Sequence, residues 1–212
     1  MKQSLFRKLT YKKLSSIKLD GNIVDFGGVK QADYHNLIKG DNSIIVVNSA
    51  ENTNPDMLHD LENMPTPIDG DSCDAVLMIN LLEHIYNYND LIKDSARILK
   101  TNGNIILAVP FLYYVHASPN DYFRYSKQAL EKMMKENGFS DIQITEIGEG
   151  AFSASYNLIH RFFPSFINFF LEKIAVSLDI FVKSMSKMLK KKYSGTEYPM
   201  GYFIKAVKND SK

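Results

Sequence analysis

Short runs of branched apolar residues alternate with amphipathic stretches along the first two thirds of the chain. Asn22-Ile-Val-Asp-Phe26 reads as a short strand, followed at once by Gly27-Gly28. Asp33 to Lys39 predicts a short helix ended by Gly40, and the β-branched run Ser43 to Asn48 predicts a second buried strand. Pro55 to Asp60 adds a short third strand and Cys73 to Ile79 a fourth. Asn89-Asp90 begins a helix through Lys100, with Leu91, Ala96, Ile98 and Leu99 in its inward stripe and Asn102-Gly103 as its C-terminal turn. The apolar run Asn104 to Val109, ended by Pro110, is strand five. Ser126 is placed to cap a helix from Lys127 to Asn137, closed by Gly138, and Asp141 to Ile147 is strand six. This alternation with short connectors predicts an α/β fold, a doubly wound and mostly parallel sheet.

The last third departs from that rhythm. Ser155 to Lys192 is helix-prone throughout and interrupted at Pro164. Phe166, Phe170, Ile174, Leu178, Phe181, Met185 and Leu189 form a stripe at three- and four-residue spacing, while Glu172, Lys173, Asp179, Lys183 and Lys187 fall largely elsewhere. Packing on the domain or in a homodimer is the favoured use of such a stripe; contact with a membrane surface is the competing one. Tyr202 to Val207 reads as a last strand returning to the sheet. The organisation expected is a basic N-terminal helical segment (1–20), a core (21–150), a helical insertion (151–195) and the returning strand (196–208).

Composition narrows the classes. The 212 residues suffice for one well-buried domain, and the net charge of +1 gives no electrostatic case for nucleic acid. The single Cys73 excludes an internal disulfide and a cysteine-based zinc site, and no metal-ligand set is read from the remaining residues. Without a signal-like apolar segment or a run long enough to span a bilayer, a cytoplasmic protein is expected. Charge is nonetheless uneven. Residues 1–19 hold six Lys or Arg and no acid, and Lys183 to Lys192 is basic again, so peripheral contact with the inner face of a membrane is a second expectation.

The densest chemistry follows strand five: His116-Ala-Ser-Pro119-Asn-Asp121-Tyr122-Phe-Arg124-Tyr125. Open α/β sheets place ligands at the C-terminal edge of their strands, and here a base, an acceptor, a donor and a fixed cation crowd into nine residues. A plain polar surface loop is the alternative, since Ser-Pro-Asn-Asp also makes turns.

Set in order, Asp25-Phe-Gly27-Gly28, Asn48, Asp60-Leu61-Glu62-Asn-Met-Pro65, Asn80-Leu-Leu-Glu83-His84 and Arg97-Ile-Leu-Lys100-Thr-Asn-Gly103 resemble the class I S-adenosylmethionine (SAM)-dependent methyltransferases. The resemblance spans about residues 20–147. It implies a Rossmann-like, seven-stranded sheet with SAM as cofactor. Asp25, Gly27 and Gly28 would then cradle the methionine moiety, Asn48 the ribose, and Asp60 and Leu61 the adenine, with Ile79, Asn80 and Leu81 alongside. The His116-x-x-Pro119-x-Asp121-Tyr122-x-Arg124 pattern, with Tyr198-Pro-Met-Gly201-Tyr, resembles a bacterial subgroup tied to surface-polysaccharide and lipid-linked sugar modification.

That resemblance implies methyl transfer to an acceptor hydroxyl, on a sugar, a lipid-linked saccharide or another small molecule. His116 is the expected base, Asp121 its orienting acid or a base itself, and His84 a second candidate. Tyr114, Tyr122 and Arg124 would line the acceptor, although Arg124 is equally suited to an ion pair with Asp121 or Glu83. Two positions depart from the family pattern. Val29-Lys30-Gln31 follows Gly28 where glycines are usual, and Asn48 stands in place of an acid, with Glu51 three residues on. Both touch the cofactor, and they motivate the alternative of a methyltransferase-like binding or scaffold protein without turnover. A nicotinamide-binding Rossmann domain is a third, weaker reading, because it demands a fuller glycine fingerprint.

Overall fold

The computed structural model describes residues 3–209. Seven strands form one sheet: β1 (Gly21–Phe26), β2 (Asn42–Asn48), β3 (Met57–Leu58), β4 (Cys73–Ile79), β5 (Leu99–Pro110), β6 (Phe139–Ile147) and β7 (Gly201–Lys208). Their order is β3-β2-β1-β4-β5-β7-β6. All neighbours among β1 to β5 pair in parallel, and β7 runs antiparallel between β5 and β6. The doubly wound, mostly parallel sheet expected from the sequence is therefore present, and its chain reversal lies beside β1 and β4.

Strict alternation sorts the two faces. Val24, Phe26, Val76, Met78, Ile105 and Leu107 point to one side and pack with α2 (Tyr88–Ile98) and α3 (Lys127–Glu136). Ile23, Ala75, Leu77, Ile106 and Ala108 point to the other, under α1 (Leu5–Leu14) and α4 (Ala151–Ile159). Asp25 shares that second face with Ile23, so β1 delivers a carboxylate into an apolar layer. Ser126 caps α3 as expected, its side chain accepting from the Ala129 N–H.

Three local expectations fail. The helix expected over Asp33 to Lys39 is a single 3-10 turn, His35–Leu37, because Tyr34 and His35 are drawn to Asp25 instead. The helix expected to reach Lys100 stops at Ile98, where Leu99 turns extended and pairs with Cys73. Asn102-Gly103 thus lies inside β5 rather than ending a helix. Asn102 takes φ 62° and the β4–β5 register shifts between Cys73 and Ala75. The pair makes a kink in the strand. The third strand is also shorter than read, only Met57–Leu58.

After α4 and a 3-10 turn at His160–Phe162, the chain enters α5 (Ser165–Met188), a 24-residue helix. Glu172, Asp179 and Lys183 face inward, beside Leu171, Ala175 and Val176. Asp179 is fully buried and accepts the Phe152 and Ser153 N–H groups at 3.0 and 2.8 Å, which caps α4. Glu172 pairs with Lys8 of α1 at 2.6 Å, and Lys183 with Glu149 at 2.9 Å. The apolar stripe from Phe166 to Leu189 faces outward and is exposed along its length. Packing of that stripe on the domain is therefore overturned: α5 is fastened through its polar side.

Candidate active site

Two groups of residues meet the C-terminal edge of the sheet. The first lies at the ends of β1 and β4. Asp25 is fully buried, and one oxygen accepts from Tyr34 Oη at 2.5 Å and stands 2.7 Å from His35 Nε2. Burial pushes its carboxyl above the ordinary carboxylate value, partly offset by His35 and Tyr34. Its other oxygen, Oδ1, has no hydrogen-bond partner. Neither has Asn80 Oδ1, at the end of β4, where Asn80 takes φ 56°.

Both glycines sit where a side chain would not fit. A Cβ on Gly27, at φ 74°, would stand 2.5 Å from Leu81, and one on Gly28 would stand 2.0 Å from Asp25 Oδ2. Past Gly28 the loop takes its own path. Val29 is half exposed, and Lys30 turns away to Asp56 at 2.6 Å. Asn48 is engaged in holding this loop, its Nδ2 donating to Gly28 O at 2.8 Å and its Oδ1 accepting from Ala50 N–H. Asp60 accepts from Glu62 N–H and Asn63 Nδ2 and stays exposed; Leu61 is buried in the core, and Ile79 is partly buried. Two unpartnered acceptors beside a side-chain-free backbone fit a ligand that brings a cationic amine to the strand ends.

The second group surrounds Glu83. The 3-10 turn Leu82–His84 leaves β4 directly, and the β5–α3 loop is stapled onto it. Tyr122 N–H donates to Glu83 O at 2.8 Å, and Tyr125 Oη donates to Leu82 O. Glu83 is 0% exposed, and both its carboxylate oxygens lack hydrogen-bond partners. His116 Nε2 and His84 Nε2 stand 3.6 and 3.7 Å from Glu83 Oε1, and the two rings meet edge to face at 4.9 Å. The Glu83 carboxylate holds the His116 imidazole above its ordinary value.

Asp121 accepts the His116 backbone N–H at 2.8 Å and is gripped by Arg124, which holds its carboxyl far below the usual range. Arg124 places its two terminal nitrogens on Asp121, Phe123 O and Tyr114 O, so its fork locks the loop. Of the two roles open to Arg124 from sequence, the ion pair with Asp121 is the one seen. Tyr122 is exposed and packs on Tyr86. Tyr114 stacks on Tyr113, and Arg161 covers its ring at 4.7 Å. Glu83, Tyr34, His35 and Arg161 were not singled out from sequence. Only Glu83 carried a signal, its place in the Glu-His dipeptide after β4.

Residues 29–107 match the family described as a methyltransferase domain. Solved structures share the fold at low identity. A SAM-dependent methyltransferase from Thermotoga maritima has a TM-score of 0.60 and 15% identity, over 97% of this chain and 90% of that one. One from Archaeoglobus fulgidus has 0.56 and 15%, over 96% and 91%. The Haemonchus contortus phosphoethanolamine N-methyltransferase 2, in complex with phosphomonomethylethanolamine and S-adenosylhomocysteine, has 0.57 and 16%, over 95% of this chain and 52% of that one. No curated protein sequence matches.

Proposed function

We propose that this chain, with its match to a methyltransferase domain and its class I fold, is a SAM-dependent methyltransferase that methylates a hydroxyl of a sugar carried on a lipid. SAM brings a methyl group already activated on a sulfonium, so the chain's task is alignment and proton removal. Asp25 Oδ1 and Asn80 Oδ1 would hold the amino end of the cofactor over Gly27 and Gly28. Asp60 and the free lone pair of Asn48 remain for adenine and ribose. The acceptor hydroxyl meets the cluster of Glu83, His84 and His116. As SAM's methyl group passed to the acceptor oxygen and the carbon–sulfur electron pair left with S-adenosylhomocysteine, the cluster would take the hydroxyl proton. Asp121 and Arg124 act as positioning residues that fix the His116 backbone.

The observation that carries the acceptor class is the junction of site and apolar surface. Arg161, over the Tyr114 ring, belongs to the turn joining α4 to α5, and Phe162, Phe163 and Phe166 beyond it are exposed. Between Ala151 and Lys192 the only acids, Glu172 and Asp179, are turned inward, whereas Lys173, Lys187 and Lys190 to Lys192 are exposed. An apolar face with cations and no outward acid suits an anionic lipid surface better than a second copy of itself. Among the described residues no helix is long and apolar enough to cross a membrane, and the contact proposed is a peripheral one.

The test pairs calorimetry with turnover. S-adenosylhomocysteine should bind at micromolar concentration, and membranes containing lipid-linked saccharides should take up label from methyl-labelled SAM. His116→Ala should lower that transfer about 100-fold or more while cofactor affinity stays within twofold. Absence of cofactor binding up to millimolar would leave the degenerate, non-catalytic reading standing.

A further inference from the structure

Glu83 presents a contradiction that hydrogen bonds do not resolve. It is fully buried, both oxygens are unpartnered, and two imidazole nitrogens stand 3.6 and 3.7 Å from Oε1, beyond hydrogen-bond reach. Each imidazole is held by its other nitrogen. His84 Nδ1 lies 2.5 Å from Asn120 O and His116 Nδ1 lies 3.3 Å from Tyr114 O. A carbonyl only accepts, so Nδ1 carries the proton in both rings, and in the neutral ring Nε2 offers a lone pair. With both rings neutral, two lone pairs and a carboxylate oxygen converge with no donor among them, an arrangement that a bound cation satisfies. One ligand atom from each of the three residues lies within 4.8 Å of the others.

We propose that Glu83, His84 and His116 form a divalent-metal site, with both Nε2 atoms and one Glu83 oxygen as ligands. Ligand atoms about 2.1 Å from a common ion lie roughly 3–3.5 Å from one another. The 3.6 and 3.7 Å separations from Glu83 Oε1 reach that with shifts of a few tenths of an ångström, and the remaining pair of ligand atoms lies within 4.8 Å. Histidines fixed through Nδ1 to backbone carbonyls are the usual outer support of metal-bound imidazole. Two nitrogens and one oxygen select a first-row cation such as zinc or manganese over calcium or magnesium. Three protein ligands leave positions open, and the face toward solvent is the His116 side, where the ring is partly exposed.

The use of those open positions rests on the acceptor-side reading above. They would take neighbouring hydroxyls of the saccharide, and the cation would lower the pKa of the one it binds. With the ion bound, His116 is a ligand and no longer the proton acceptor; the ion makes the hydroxyl nucleophilic, and the released proton passes to bulk water at the exposed His116 edge. This also accounts for a buried carboxylate that no protein donor satisfies.

The experiment titrates Mn(II) into full-length protein stripped with EDTA and dialysed, with free ion read by electron paramagnetic resonance. One ion per chain is expected, displaced by Zn(II). Glu83→Gln and His84→Ala should each weaken binding at least tenfold, whereas Glu136→Gln, at an exposed acid on α3, should not change it. His116→Gln, a second ligand variant, keeps the test open should Glu83→Gln not fold by circular dichroism. S-adenosylhomocysteine calorimetry in EDTA runs on the same samples. Cofactor binding without stoichiometric Mn(II), or Mn(II) binding that the ligand variants leave unchanged, overturns the metal site alone. Stoichiometric Mn(II) lost in the ligand variants supports the site even where cofactor binding fails, a result that would instead count against the methyltransferase reading.

Discussion

At the scale of the residue, the site is built from carboxylates in unfavourable places. Asp25 is the clearer case for stability. Its raised pKa means that the folded state resists its ionisation, so stability is highest below the ordinary carboxylate value near 4. It is lost as pH rises through the raised value. Asp25→Asn removes that cost. The variant should match the parent in melting temperature at pH 4 and exceed it increasingly toward pH 8, read by thermal melts across that range. The same change removes the charged acceptor proposed for the cofactor's amine, worth about 1.5–3 kcal/mol, so S-adenosylhomocysteine should bind at least tenfold more weakly. A variant that melts lower at pH 8 with unchanged affinity would show that Asp25 is structural. Neither the burial of Asp25 nor that of Glu83 is written in the local sequence. Asp25 shares with Ile23 a face covered by residues from α1 and the β1–β2 loop, and Glu83 is enclosed by a loop that arrives some forty positions later.

Among elements, α5 shows most plainly how periodicity and packing separate. The spacing of Phe166, Phe170, Ile174 and Leu178 was legible, and the helix formed where it was expected. The direction of the stripe was not legible, because it depends on what the opposite face meets. Asp179 decides it by capping α4 and cannot do so while the stripe points inward. Asp179→Ala should cost about 1–3 kcal/mol by stranding two N–H groups, and hydrogen exchange should accelerate at Phe152 and Ser153 before the sheet responds. Unchanged protection there would mean the cap is not what orients the helix. Asn102-Gly103 teaches the same lesson in a strand. The dipeptide correctly signals positive φ, but tertiary pairing of Leu99 with Cys73 places that turn inside β5.

For the whole molecule, the proposed function joins the sheet edge, the β5–α3 loop and the α4–α5 hairpin into one surface. The hairpin exposes Phe170 by 62% and Phe181 by 59%, a cost that a partner must offset. Phe170→Glu with Phe181→Glu should leave the melting temperature unchanged, because neither ring is buried, and should cut co-sedimentation with anionic vesicles at least tenfold. Full-length protein that ignores vesicles but sediments as a dimer, with the double variant monomeric, would assign the face to a second copy.

The sequence by itself determined the order of elements, the sheet type and the family likeness. These follow from alternation and glycine placement, which act over a few residues and tolerate local error. Tertiary structure alone decided which polar groups lost their water. It drew Tyr34 and His35 onto Asp25, spent Arg124 on Asp121, and left Glu83 dry between two histidines. Desolvation is set by residues far apart in the chain that close over one point, and no local pattern encodes that closure.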